Sequence, residues 1–182
     1  VGIITTTGGG GAMVVESLSG SDIEIIDPGL SIKKIMQDNN IAFNNNKLVD
    51  LTIAGTKPEI VNEVISQMMK NKNCDLVVMV VGSSAKFRPE QAVEPLLKWA
   101  NYPKPLAVYV APDAPEALTL LHKNNIACFR TPESCAESVK TFLNTKNPVK
   151  PKILKNDLSD ISKKVKKNIF KNLSEEEALE IF

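Results

Sequence analysis

The chain has 182 residues, 43% of them hydrophobic, and its 22 Lys and Arg nearly balance 21 Asp and Glu for a formal net charge of +1. That length carries one domain of ordinary size with a packed core and a short appendage, and so neutral a field gives no argument for nucleic acid or a membrane surface as partner. No apolar run reaches the roughly 18 to 20 residues of a membrane span, no charged leader precedes the first strand, and a start at Val1 in place of Met reads as a piece cut from a longer chain.

The first dozen residues organise the rest. Val1-Gly2-Ile3-Ile4-Thr5-Thr6-Thr7 is a β-rich run that breaks into Gly8-Gly9-Gly10-Gly11 and resumes as Ala12-Met13-Val14-Val15, which reads as strand, turn and a helix to about Leu18. Ser19-Gly20-Ser21 turns into a second strand, Ile23-Glu24-Ile25-Ile26, closed by Asp27-Pro28-Gly29. A short helix over 30–37 and an Asn-rich loop follow. Leu48-Val49-Asp50-Leu51-Thr52-Ile53 is strand-like, and Lys57-Pro58-Glu59 opens a helix with Ile60, Val61, Val64, Ile65, Met68 and Met69 at helical spacing.

The continuous apolar run over 75–82 has the pattern of a central parallel strand covered on both faces, ending in the small-residue turn Gly82-Ser83-Ser84. The next helix is expected to begin at Pro89 and to kink at Pro95. A strand over 105–110, a helix containing His122, a strand over 126–129 and a helix from Thr131-Pro132-Glu133 to about Leu143 complete the alternation. That βαβα order calls for a parallel sheet with helices on both faces. From Asn144 onward the composition turns to Lys and Pro, with the basic run 163–167, and Leu173-Ser174-Glu175-Glu176-Glu177 spells a capping box that opens a further helix. The organisation expected is therefore a module over 1–144, a linker over 145–172 and a first helix of something else over 173–182.

Four consecutive glycines leave the backbone N–H groups of the first turn uncovered, and the following helix adds about half a positive charge at its N-terminus. Either an anion is held there, or the glycines only permit a tight turn with close packing. The spelling excludes some ligands: Met13 stands where the dinucleotide fingerprint needs a small residue, and no Gly-Lys-Ser/Thr occurs. Thr5-Thr6-Thr7-Gly8 leaves open a flavodoxin-type loop for FMN or another small anion. Lys86 and Arg88, just beyond the second turn, either add positive charge to that site or sit in water. His122, the single histidine, lies mid-helix and away from both turns, and is expected to be a surface or packed residue. Cys74, Cys128 and Cys135 lack metal or redox spacing and read as free, structural, cytosolic thiols, with Cys128 a small buried hydrophobe.

Several segments, in order, resemble the NDP-forming acyl-CoA synthetases, relatives of succinyl-CoA synthetase. They are Gly2-Ile3-Ile4-Thr5-Thr6-Thr7-Gly8-Gly9-Gly10, Val49-Asp50-Leu51-Thr52 with Lys57-Pro58-Glu59, the 75–82 strand with Phe87-Arg88-Pro89-Glu90, Lys104-Pro105-Leu106-Ala107-Val108 and Phe129-Arg130-Thr131-Pro132-Glu133. Within that family they are similar to the second flavodoxin-like module of fused acetate-CoA ligases, which precedes an ATP-grasp domain whose first helix the capping box resembles. The resemblance implies a flavodoxin-like three-layer sandwich with a five-stranded parallel sheet and an extended C-terminal tail. It also implies a cytoplasmic parent enzyme that makes acyl-CoA, ADP and phosphate from a small carboxylic acid, ATP and CoA through a phosphohistidine.

In such a parent, CoA, ATP and Mg2+ belong to other modules, and the partners of this one are the CoA-binding, phosphohistidine and ATP-grasp domains. The module contributes no catalytic residue, cofactor or metal ligand of its own and is inactive alone. Thr7, Gly8, Gly9, Gly10, Gly11, Gly82, Ser83 and Ser84 inherit the task of facing the phosphohistidine or phosphate. A homo-oligomer is left open.

Overall fold

In the computed structural model, which describes residues 1–43, 47–52, 57–145 and 175, five short apolar runs form one sheet. They are β1 (Gly2–Thr5), β2 (Leu48–Asp50), β3 (Val77–Val81), β4 (Leu106–Val110) and β5 (Ala127–Phe129). Every pairing is parallel and the spatial order is β2-β1-β3-β4-β5, the flavodoxin-like topology. The helices between them are α1 (Gly8–Leu18), α2 (Leu30–Asp38), α3 (Pro58–Lys70), α4 (Ser84–Phe87), α5 (Pro89–Leu97), α6 (Pro115–Lys123) and α7 (Pro132–Asn144). The chain divides into two units, Val1–Thr145 and Lys146–Phe182, and the fold described is that of the first. The linker and final helix expected over 145–172 and 173–182 lie outside the described residues apart from Thr145 and Glu175.

The period of two along each strand distributes side chains to two cores. In β3, Val77, Met79 and Val81 enter the larger core with α2, α3, α5 and α6, whereas Val78 and Val80 enter the smaller one with α1 and α7. β4 repeats the pattern, with Val108 and Val110 on the first side and Ala107 and Tyr109 on the second. A strand buried on both faces has no use for a polar alternate residue, which is why 76–82 reads as unbroken apolar sequence.

Residues 23–26 do not form the strand expected of them. Both flanks of β1 are taken by β2 and β3, and the segment makes two hydrogen bonds with the first residue instead. The Val1 amino group donates to Glu24 O (2.7 Å) and Ile26 N donates to Val1 O (2.9 Å). Asp27 then accepts from Gly29 N (2.8 Å), and Gly29, at φ +86°, turns the chain into α2. Pro95 lies inside α5, which runs to Leu97.

The cap at Thr131 is present, its hydroxyl accepting from Ser134 N (3.2 Å). All three cysteines are free. Burial pushes the Cys135 thiol up to about 12, so it stays a neutral packing group. Cys128 is half-buried where a buried thiol was expected, because β5 pairs only with β4 and forms the sheet edge. No helix among the described residues is long and apolar enough to cross a membrane.

Candidate functional site

The first turn is built by threonines. Thr5 closes β1 fully buried, and its hydroxyl donates to Thr7 O (2.7 Å) while accepting from Thr7 N (3.0 Å), which folds the chain back over the strand end. Thr6 N extends the ladder to Val80 O (2.9 Å), and Thr6 Oγ1 accepts from Gly82 N (2.9 Å). The two small-residue turns named from sequence are thus joined at the β1/β3 boundary, where the chain's connections diverge to opposite sides of the sheet. In open α/β sheets, ligands bind at such a switch point, outside the carboxyl ends of the strands.

The four glycines divide by role. Gly11 N makes the first bond of α1, to Thr7 O (3.0 Å), which leaves the N–H groups of Gly8, Gly9 and Gly10 without a helical acceptor. Gly8 N donates to Thr52 Oγ1 (3.0 Å), and Thr52 in turn donates its own N–H to Asp50 Oδ1 (2.9 Å) and its hydroxyl to the same oxygen. No acceptor among the described residues meets Gly9 N or Gly10 N. Gly10 and Gly11 are buried and closely packed: a Cβ on Gly10 would stand 2.9 Å from Thr7 Cγ2, and one on Gly11 2.8 Å from Thr5 Cγ2. Gly9 is exposed, with nothing within 4 Å of where its Cβ would be. Close packing therefore accounts for Gly10 and Gly11, whereas Gly9 presents an open N–H.

Asp50 and Thr52 belong to the site and were not selected from sequence. Asp50 Oδ2 stands 2.8 Å from the place of a Gly8 Cβ, so the site already holds a carboxylate beside the positive end of α1. The signal was Asp-x-Thr at a strand end, where an Asp caps the amide two residues on. Asp50→Asn keeps an acceptor for Thr52 but removes the charge. It is expected to raise phosphate affinity about two- to fivefold by removing a like charge, at a cost of up to about 1 kcal/mol in stability. Isothermal titration and thermal melts check the pair, and an unchanged affinity would place Asp50 outside the field of the site.

No sequence-family profile matches this chain, and no curated protein matches it. Solved structures do. PH0766 from Pyrococcus horikoshii OT3 superposes with a TM-score of 0.65 at 20% identity, over 79% of this chain and 34% of that one. The dinucleotide forming acetyl-coenzyme A synthetase 1 of Ca. Korarchaeum cryptofilum matches in its apo form with a TM-score of 0.62 at 21% identity, over 78% of this chain and 32% of the other. The same protein in complex with phosphate and ADP gives 0.62 at 20% identity, over 78% and 32%. The chain spans about a third of the length of these proteins, and the likeness establishes the fold.

Around the second turn, Gly82 is a packing glycine, since a Cβ there would lie 2.9 Å from Thr6 O. Ser83 and Ser84 lead into α4, a single turn of four residues that ends before α5 starts at Pro89. So few aligned peptides supply little of the positive end that α1, with 11 residues, provides. Lys86 and Arg88 are exposed and enter none of the ion pairs among the described residues. His122 is exposed in the last turn of α6, lining an open groove of about 530 Å³ with Leu118, Cys128, Phe129 and Arg130. Arg130 is held there by Asp113, both carboxylate oxygens accepting at 2.8 Å. Since α6 starts at the end of the sheet that carries the turns, its last turn lies toward the other end. Among the described residues no group of three or more His, Cys, Asp or Glu is placed to hold a metal ion.

Proposed function

We propose that this chain is one module of a longer acyl-CoA synthetase, in which acid, ATP and CoA give acyl-CoA, ADP and phosphate. Its task is to present the N-terminus of α1 to a phosphoryl group carried on a histidine of another module. The observation that carries the reading is the exposed Gly9 at the start of an 11-residue helix, its N–H without an acceptor among the described residues, at the sheet's switch point. The fold shared with an acetyl-coenzyme A synthetase solved with phosphate and ADP supports it. CoA, ATP and Mg2+ would be held by the other modules; what this chain supplies is fixed N–H dipoles, aimed before the charge arrives. The relay nucleophile would also lie elsewhere, because His122 has no side-chain hydrogen bond to an orienting group among the described residues.

The test is a phosphate titration of the 182-residue chain followed by amide NMR. Gly9 and Gly10 are expected to shift first and saturably. Shifts confined to the basic run 163–167 would refute the assignment. Saturable quenching of FMN fluorescence by the chain would transfer the same turn to a flavodoxin-like, flavin-binding role.

A further inference from the structure

Phe87 is 79% exposed at the end of α4, with exposed Lys86 and Arg88 on either side of it. Two residues further on begins a groove of about 320 Å³ between α5 and α6, lined by Pro89, Glu90, Pro115, Glu116, Thr119 and Leu120. Its lining combines two prolines, a leucine and a threonine with two carboxylates. A cavity of about 150 Å³ already admits a benzene ring, so the groove has room for a phenyl group. Phe87 does not fill it in its own chain, as its exposure shows. None of Lys86, Arg88, Glu90 or Glu116 enters an ion pair among the described residues.

Knob and groove therefore carry opposite charges, and the groove begins two residues beyond the knob. A two-fold dimer requires a patch in which residue i meets residue j of the partner while j meets i, close to the axis. We infer that the occupant of this groove is a second copy of the chain. Phe87 of each protomer enters the groove of the other, with Lys86 and Arg88 set against Glu90 and Glu116. Apolar insertion supplies the attraction, and the charges fix partner and orientation. The inference is independent of the acyl-CoA synthetase reading, since neither the α1 turn nor Asp50 takes part.

The experiment is sedimentation equilibrium of the 182-residue chain at concentrations up to about 500 µM, because a contact this small makes a transient dimer. The apparent mass is expected to rise from 19.9 kDa toward twice that value. Phe87→Ala is expected to stay monomeric throughout. Two charge variants, K86E/R88E and E90K/E116K, should each be monomeric alone, because like charges then face one another at both contacts. Mixed in equal amounts they should dimerise, since both contacts of the mixed pair are again complementary. All five positions are exposed, and circular dichroism checks that each variant remains folded. A wild-type chain that stays monomeric, a Phe87→Ala variant that dimerises like wild type, or folded charge variants that remain monomeric on mixing would overturn the proposal.

Discussion

Gly11→Ala is expected to lower the melting temperature of the chain by up to roughly 8 °C, although alanine is the better helix former. Helix propensity alone favours the substitution by about 1 kcal/mol. Packing opposes it, and wins. The new methyl would stand 2.8 Å from Thr5 Cγ2, 2.9 Å from Thr5 Cβ and 3.2 Å from Leu48 Cδ1. Thr5 cannot rotate away without giving up both hydrogen bonds to Thr7 that shape the turn, and it is fully buried. Overpacking of this kind costs about 1–3 kcal/mol. Gly9→Ala, two residues earlier, is the internal control: its methyl enters open space, and the restricted unfolded chain stabilises the protein by about 0.4–1 kcal/mol. Thermal melts of the two variants should move in opposite directions. If both rise, α1 does not approach β1 as closely as described.

How much of this could be read from the sequence depended on whether the signal was local. The unbroken apolar run at 76–82 and the helical spacing from Ile60 to Met69 are one-dimensional patterns, and they became β3 and α3. Ile23-Glu24-Ile25-Ile26 has the same local spelling as a strand, but strand status depends on a free neighbour, and β1 had none to offer. The 82–84 turn and its helix illustrate the same limit: Pro89 correctly marks the start of α5, while the four-residue α4 before it has no periodicity to detect. At the site, four identical glycines carried no information about which one faces a ligand. Their division was decided by what stands across from each, Thr5 and Leu48 at Gly11, Thr7 and Val80 at Gly10, Asp50 at Gly8, and open space at Gly9. Thr52 reaches Gly8 of α1 from 44 residues away in sequence, with Asp50 beside it, through the β1/β2 pairing. The knob at Phe87 and its neighbouring groove likewise emerge only once α5 and α6 lie together.

Gly9→Pro separates the N–H from everything else that a glycine supplies, and in the longer acyl-CoA synthetase proposed for this module it is expected to slow acyl-CoA formation by about 10²–10³-fold. Proline is tolerated in the first turn of a helix because the N–H it lacks has no helical acceptor there, and nothing lies within 4 Å of the place of a Gly9 Cβ. No hydrogen bond among the described residues is lost with it. On that proposal, what disappears is one preorganised donor that would face the phosphoryl group, in a site that a partner module would close off from water and where such a donor is worth most. Gly9→Ala keeps the N–H and should retain activity within a few-fold of wild type. The loss should fall on kcat, since a group held covalently on a histidine is not bound by this turn before the transfer begins. Stopped-time assays of acyl-CoA formation from acid, ATP and CoA, with melting curves for both variants, check the pair. Full activity in a folded Gly9→Pro protein would remove the α1 N-terminus from the chemistry and leave the glycine run with its packing role alone.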